Sequence, residues 1–281
     1  MSRYRVVHRT GFRYGQPVMA SYNEVRMLPA RDDSQVVFSS KLEIRPHPAS
    51  HEYQDYFGTR VVMFEVLEPH AELEIVSANT VELRAAAEAS NSLSWDELSA
   101  AIERSLELKD AVTNSKRTGI PSDLVKQATK LAAQAQNPAE AAAAICSLIN
   151  QKMKYQFGVT GVASNAAEAW SKKIGVCQDF THLALGALRA VGIPARYVSG
   201  YLHPQAEPRI GQTVVGESHA WVEWFAGEWV SNDPTNNLTY TDRHIVVARG
   251  RDYDDVPPLR GVYAGQANSE LFVQVEITRE A

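Results

Sequence analysis

The strongest restriction on the fold comes from the run that begins at Cys177, where apolar residues recur with the period of a buried helix. The stripe consists of Phe180, Leu183, Ala184, Ala187, Leu188 and Val191. Gly192-Ile193-Pro194 follows at once, and glycine and proline in such positions end a helix. The next segments have the composition of strands, with a hairpin turn between the last two: residues 195–202, 218–225 and 228–231. The pattern predicts one helix packed on a small antiparallel sheet.

Cys177 stands at the first position of this helix. A thiol there meets the positive end of the helix dipole, which stabilises the thiolate, the nucleophilic form of cysteine. Two later residues could supply a base and an orienting acid, because His219 opens the second strand and Asp233 follows the third. A lone cysteine beside an apolar helix is more often a small buried hydrophobe, and we assign Cys146, mid-helix among alanines, to the core.

The first part of the chain, residues 1–90, is expected to form an antiparallel β-sandwich domain. Apolar residues alternate with more polar ones in short runs, which include residues 36–44, 59–67 and 73–83. Several such runs with no helical pattern between them are typical of packed antiparallel sheets. Four histidines scattered through this region lack metal-ligand spacing and are expected at the surface: His8, His47, His51 and His70.

Residues 85–91 are rich in Ala and Ser and form the predicted linker to a second domain at 91–281. Asn137, followed by proline and then glutamate, and Asn165 are typical helix N-caps. The second domain is therefore divided into a helical part, a catalytic core and C-terminal strands, at residues 91–175, 176–240 and 241–281. The chain as a whole is expected to be an α+β protein.

Charge and composition exclude several classes of partner. With a net charge of −5, the chain has no general basic surface for nucleic acid. No apolar run approaches the roughly 18 residues of a membrane span. Two cysteines cannot form a disulfide framework, and no apolar secretory segment follows Met1. We expect a cytoplasmic protein with no nucleic-acid or membrane partner.

Four blocks of sequence connect the chain to a known family. They read Gly-Val-Cys-Gln-Asp-Phe from Gly175, Gly-Ile-Pro-Ala-Arg-Tyr-Val-Ser-Gly-Tyr from Gly192, Ser-His-Ala-Trp-Val-Glu from Ser218 and Asn-Asp-Pro-Thr-Asn from Asn232. In this order they closely resemble the core of the transglutaminase-like superfamily. The N-terminal β region and residues 244–256 resemble the bacterial members with an N-terminal β domain, often classed as cysteine proteases from sequence.

The resemblance implies a papain-like catalytic domain. In it, Cys177 is the nucleophile, His219 the general base and acid, and Asp233 the residue that orients the histidine. One oxyanion donor is expected to be the backbone N–H of Cys177. Gln178 or Tyr155 could supply another, with a plain packing role as the alternative for each. Trp221 shares a strand face with His219 by alternation, which makes it the candidate wall of a substrate site.

These observations predict an enzyme that acts on a peptide or protein substrate. Cys177 would attack an amide or isopeptide carbonyl and form a thioester. Hydrolysis is the favoured outcome, because no amine pocket is evident. The alternatives are acyl transfer from glutamine to an amine or deamidation, and a non-catalytic binding module on the same fold. No cofactor or metal is expected, and no segment matches a calcium-binding loop.

Overall fold

The structure is a computed structural model that describes residues 2–84, 93–158, 161, 164–239 and 241–281. The linker predicted at residues 85–91 lies outside the described residues. In the described part of the chain, strands come first, helices follow, and strands return at the end. This order confirms the α+β class.

The N-terminal region contains six strands with no helix between them. They are β1 (Ser2–Val18), β2 (Ala20–Val25), β3 (Gln35–Arg45), β4 (Ala49–Gln54), β5 (Arg60–Val66) and β6 (His70–Leu83). Strands β1, β6 and β3 are neighbours in one antiparallel sheet, and β2, β5 and β4 are neighbours in a second. Buried residues from both sheets, such as Ile75 and Phe64, share one hydrophobic core. The predicted antiparallel sandwich is therefore confirmed.

The helical part follows the sandwich, with two short parallel strands inserted in it. Its elements are α1 (Trp95–Arg104), α2 (Leu106–Ala111), α3 (Ser122–Gln134), α4 (Pro138–Lys152), β7 (Lys154–Tyr155), α5 (Ala166–Lys172), β8 (Ile174–Gly175) and α6 (Cys177–Ala190). Asn137 and Asn165 cap α4 and α5 through side-chain oxygens that accept backbone N–H groups. The two N-caps lie where their sequence patterns predict them.

Helix α6 is the centre of the part that the sequence predicts to be catalytic, called the catalytic part below. Its apolar stripe is buried as expected, and the side chains on its remaining faces are almost all buried too. Gly186 approaches the carbonyl group of Thr118 so closely that a Cβ atom at this position would collide with it. The helix is therefore enclosed on all sides and has little freedom to move.

The remaining strands complete two different sheets. They are β9 (Ala195–Leu202), β10 (Thr213–Gly216), β11 (Ser218–Phe225), β12 (Trp229–Asp233), β13 (Leu238–Thr239), β14 (His244–Gly250), β15 (Leu259–Ala264) and β16 (Ser269–Arg279). The catalytic sheet has the order β13-β12-β11-β9-β14, and α6 packs against its central strands β11 and β9. This is the predicted arrangement of a cysteine-bearing helix on an antiparallel sheet.

The C-terminal strands depart from the sequence-based division, which groups residues 241–281 with the catalytic part. Strand β14 does join the catalytic sheet, but β16 pairs with β1, β10 pairs with β16, and β15 pairs with β2. The tail thus returns to complete both sheets of the sandwich. Alternation in a strand indicates which residues face a core, but not which strand becomes its partner.

The sandwich and the catalytic part share a buried boundary. The main hydrophobic core contains Tyr4 and Ile277 of the sandwich together with the helices and the catalytic sheet. His8 was expected at the surface, but it is buried here, with its Nδ1 2.9 Å from the Tyr201 hydroxyl oxygen. His70 is likewise buried, whereas His47 and His51 are exposed as expected. None of the helices in the described ranges is both long and apolar enough to cross a membrane.

Candidate active site

Cys177 is the first residue of α6, and its local sequence explains how it is held there. The side chain of Asp179 turns back, and its Oδ2 accepts the backbone N–H of Val176, the N-cap, at 2.8 Å. A Cβ atom at Gly175 would lie 2.6 Å from the same carboxylate oxygen, so glycine leaves room for this turn. Cys177 remains partly exposed, whereas Cys146 is 1% exposed within the core. Only the first of these thiols can meet a substrate.

The base and the acid come from neighbouring strands of the catalytic sheet. His219 on β11 and Asp233 on β12 lie with His219 Nε2 2.7 Å from Asp233 Oδ2. An ionised carboxylate can only accept, so His219 Nε2 carries the hydrogen and Nδ1 remains for the thiol. The structure therefore brings together the three residues that the sequence singles out, and it gives the imidazole a defined orientation.

The charges of the three residues reinforce one another. Burial lowers the pKa of His219, but hydrogen bonds with Asp233 and with the Cys177 thiol outweigh burial and raise this pKa to about 10. Burial raises the pKa of Asp233, but hydrogen bonds from His219 and His244 outweigh it and hold this pKa far below its usual range. At neutral pH the site thus holds an imidazolium between a carboxylate and the thiol.

His244 is the member of the site that the sequence analysis does not identify. It opens β14, is 1% exposed, and places Nε2 3.4 Å from Asp233 Oδ2. The one sequence signal that could have found it is the block at residues 244–256, which starts at this histidine and resembles the bacterial family members. Nothing in strand alternation distinguishes a histidine at a functional site from one in a core.

His219, Asp233 and His244 also form a group with metal-ligand chemistry, since their ligand atoms lie within 4.8 Å of one another. The hydrogen bonds argue against that use. The backbone N–H of Thr241 donates to His244 Nδ1 at 3.2 Å, so the ring's own hydrogen sits on Nε2. A metal requires a lone pair on the nitrogen that faces it. The donor set therefore fits a hydrogen-bond network, and the absence of a metal stays a prediction.

Two further candidates lie beside the cysteine. Tyr155 pairs with Gly175 across β7 and β8, is 46% exposed, and has a pKa raised by burial and by the charges of Cys177 and Glu217. Gln178, the second residue of α6, is buried. The position of Tyr155 suits a group at the rim of the site. A role for either residue as an oxyanion donor stays a prediction.

The position of Trp221 contradicts its predicted role as the wall of a substrate site. It shares the face of His219, with ring centroids 6.1 Å apart, as the alternation predicts. However, it is 1% exposed and packs in a buried cluster with Ala30, Val198 and Val246. The prediction of a substrate wall is therefore wrong, because the sandwich covers this face of the sheet. The Trp221 ring stacks against the His219 ring and helps to hold it in place.

Comparison with known proteins finds transglutaminase-like family models in two separate parts of the chain. Residues 4–82 match the family model of the bacterial transglutaminase-like N-terminal region, and residues 125–234 match that of the transglutaminase-like superfamily. Over 283 residues the chain is 41% identical to an uncharacterised protein of Mycobacterium leprae, and the match covers 100% of both chains. A stretch of 65 residues is 40% identical to a protein-glutamine gamma-glutamyltransferase of Pseudomonas aeruginosa, covering 22% of this chain and 10% of that protein.

A solved structure extends the likeness to the whole fold. The crystal structure of a candidate cysteine protease from Cytophaga hutchinsonii is 22% identical in sequence and superposes with a TM-score of 0.78. The superposition covers 99% of this chain and 91% of that chain, so the sandwich and the catalytic part occur together in both. By its sequence blocks, its fold and its relatives, the chain belongs to the transglutaminase-like superfamily.

Proposed function

We propose that the protein is a cysteine-dependent hydrolase that cleaves an amide or isopeptide bond of a peptide or protein through a thioester at Cys177. One observation carries the proposal. His219 Nε2 lies 2.7 Å from Asp233 Oδ2, which fixes the imidazole, and the ring also forms a hydrogen bond with the Cys177 thiol. A scaffold without catalysis would have no need to hold an imidazolium against a partly exposed thiol.

The first half-reaction follows from the charges in the site. The Cys177 thiolate attacks the carbonyl carbon, and the carbonyl oxygen becomes an oxyanion near the N-terminus of α6. The first N–H groups of a helix have no helical acceptor, so the backbone N–H of Cys177 can stabilise that oxyanion. His219 then gives its Nδ1 proton to the amine as the carbon–nitrogen bond breaks, which leaves a thioester and a neutral imidazole.

The second half-reaction reverses the proton transfer. The neutral His219 takes a proton from water as the water oxygen attacks the thioester carbonyl. The carbon–sulfur bond breaks, the acyl group leaves as a carboxylic acid, and the Cys177 thiolate and the His219 imidazolium are restored. Asp233 keeps the hydrogen bond to Nε2 throughout, so the ring does not turn between the two steps.

Transfer to an amine is the second candidate, because a stretch of the chain is similar to a protein-glutamine gamma-glutamyltransferase. The chemistry up to the thioester is the same, and an amine would then replace water as the nucleophile. We favour water, because it needs no binding pocket of its own. As part of the same proposal, the protein works in the cytoplasm, where the two free thiols would stay reduced.

The proposal is tested by trapping the acyl-enzyme. The protein is mixed with a library of glutamine-containing and isopeptide-linked peptides, quenched in acid, and mapped by mass spectrometry. We expect an acyl adduct on Cys177 that is lost in Cys177→Ala and kept in Cys146→Ala. Adding a primary amine separates the two candidates: carboxylic acid product supports hydrolysis, and amide product supports transfer. Peptide binding without any adduct would leave the non-catalytic module as the better explanation.

A further inference from the structure

The second histidine near Asp233 is His244, and it comes from a strand that is not adjacent to the strand of Asp233. Strand β14, which carries His244, is separated from β12, which carries Asp233, by the two strands β11 and β9. The ring nevertheless reaches the carboxylate, with Nε2 3.4 Å from Oδ2. It also packs edge-on against Trp221, with ring centroids 5.1 Å apart. His244 and His219 therefore both face one carboxylate oxygen, with their ring centroids 6.3 Å apart.

The hydrogen bonds fix the protonation of His244 without any reference to pH. The backbone N–H of Thr241 can only donate, and it points to Nδ1 of the histidine at 3.2 Å. The Thr241 hydroxyl lies 3.0 Å from the same nitrogen. Nδ1 is thus an acceptor, the ring is neutral, and its one hydrogen is on Nε2. That hydrogen faces Asp233 Oδ2, so His244 is a neutral donor to the catalytic carboxylate.

Asp233 is saturated with donors. Its Oδ1 accepts the backbone N–H groups of Thr235 and Asn236, at 3.0 and 3.2 Å. Its Oδ2 accepts from His219, from His244 and from the Asn236 side chain, the last at 2.7 Å. Each N–H that a carboxylate accepts stabilises its charge and weakens its attraction for the other protons around it. His244 and His219 therefore compete for the same oxygen.

We propose that His244 is a positioning residue that acts through Asp233, holding the carboxylate in place and moderating its attraction for the proton of His219. The inference rests on the proposed function, in which His219 must release a proton to the leaving amine. An imidazolium bound too tightly by its carboxylate is a poor general acid. A neutral second donor limits that attraction without adding a charge of its own.

The electrostatic surroundings are consistent with this role. Burial is the largest influence on His244 and lowers its pKa, and the charged groups that act on it include Asp233, His219 and Arg243. Trp221, which packs against the ring from β11, carries no charge. The His244 ring is consequently neutral at neutral pH, where His219 is an imidazolium.

The test compares three variants of the whole protein. His244→Phe keeps a ring in the same space but donates nothing, and His244→Gln places an amide N–H near the position of Nε2. His8→Phe is the matched control, because His8 is also a buried histidine, and its hydrogen-bond partner is the Tyr201 hydroxyl rather than a residue of the triad. Two quantities are measured on folded protein: the pH dependence of Cys177 alkylation by iodoacetamide, and turnover of a substrate found by acyl trapping.

We expect His244→Phe to move the alkaline step of the alkylation profile, at which His219 loses its proton beside the thiolate, to higher pH, because a carboxylate that has lost a donor holds the imidazolium more tightly. Turnover should fall by roughly tenfold, because the imidazolium is then a weaker acid. His244→Gln and His8→Phe should both stay close to the wild type. A simple loss of packing would not raise the pH of this step while turnover falls.

Two results would overturn the inference: an unchanged alkaline step of alkylation in folded His244→Phe, or a step that falls to lower pH together with the loss of turnover. The second result would mean that the ring only fills space. If the alkaline step moves to higher pH as expected but the wild type shows no acyl transfer, the coupling between His244 and His219 is supported and the proposed function fails. The two ideas are thus tested separately.

Discussion

The two sides of the active site are built in different ways. On the helix side, Cys177 is held by residues within two positions of it in the chain, namely the cap at Val176 and the carboxylate of Asp179. On the sheet side, His219 and Asp233 depend on partners far away in the sequence. Trp221 behind His219 packs on Ala30 of the sandwich, and His244 comes from another strand.

This difference indicates why the sandwich and the catalytic part form one unit. The hydrogen bond that caps the start of the helix side comes from its own segment. The sheet side needs a sandwich in place, because Gln35 of β3 bonds to both Ala30 and Val246 and so connects the sandwich to β14. The contacts of the N-terminal region therefore reach the strands and side chains around the base.

The largest effect should come from His219, where the helix side and the sheet side of the site meet. His219→Ala removes the acid and base and leaves the helix cap intact, so we expect turnover to fall by about 10⁴-fold while the fold is retained. Turnover and thermal unfolding are measured together, with the exposed His47→Ala as the control. A loss smaller than about tenfold would show that the helix side alone activates Cys177.

The two cysteines provide the next contrast. Burial raises the pKa of Cys146 to about 12, whereas His219 has its pKa raised to about 10 and so remains an imidazolium beside Cys177 through neutral pH. Brief iodoacetamide treatment near pH 6 should therefore label Cys177 at least about a hundredfold faster than Cys146, as measured by peptide mapping. In His219→Ala the labelling of Cys177 should require more alkaline solution, because the cation is gone.

An unlabelled Cys177 at this pH, or a labelling profile that His219→Ala leaves unchanged, would contradict the thiolate–imidazolium pair. Labelling of Cys146 in folded protein would mean that the core around α4 opens on the timescale of the reaction. A denatured sample, in which both thiols react, serves as the control for complete detection.

A smaller effect is expected from the acid. Asp233→Asn keeps an oxygen that can accept the N–H of His219 but removes the negative charge, so the ring stays oriented and its pKa is less strongly raised. We expect turnover to fall by roughly a hundredfold, clearly less than in His219→Ala. Equal losses in the two variants, compared by steady-state kinetics at one pH, would mean that Asp233 does more than orient the ring.

The sequence predicts the helix side better than the sheet side, for a physical reason. Period, capping pattern and the position of Cys177 are all local, so they are readable from one segment. His219 and Asp233 are also within reach of such reasoning, because a single hairpin turn joins their strands. The block resemblance then assigns their roles.

What the sequence could not supply is the identity of distant partners. Alternation correctly places Trp221 on the face of His219, but it does not reveal that Ala30 covers that face. The same limitation applies to β15 and β16, whose partner strands are in the sandwich. His244 is reached only after β9 has paired with both β11 and β14. Each miss involves a contact between segments that no local pattern encodes.

The smallest predicted effect tests the role of the sandwich directly. Gln35 is buried, its Nε2 donates to the carbonyl oxygens of Ala30 and Val246 at 2.7 and 2.8 Å, and its Oε1 accepts the Val246 N–H at 3.0 Å. Gln35→Leu has a similar size but leaves these backbone groups without their partner. We expect a loss of about 2 kcal/mol in the free energy of unfolding, from buried polar groups that lack hydrogen bonds.

Gln35→Leu should also lower turnover about threefold. Strand β14 and the residues packed against His219 lose one support, so His219 would be slightly misplaced relative to the substrate. The matched control is Leu124→Ala on α3, a fully buried change in the helical core that should cost about 3 kcal/mol. Urea unfolding gives the stability of each variant, and steady-state kinetics below the unfolding transition gives turnover. If Leu124→Ala is the less stable variant but turns over normally, while Gln35→Leu loses turnover, the sheet side depends on its contacts with the sandwich. If both variants lose turnover in proportion to stability, the two sides of the site are equally dependent on the rest of the protein, and the distinction between them fails.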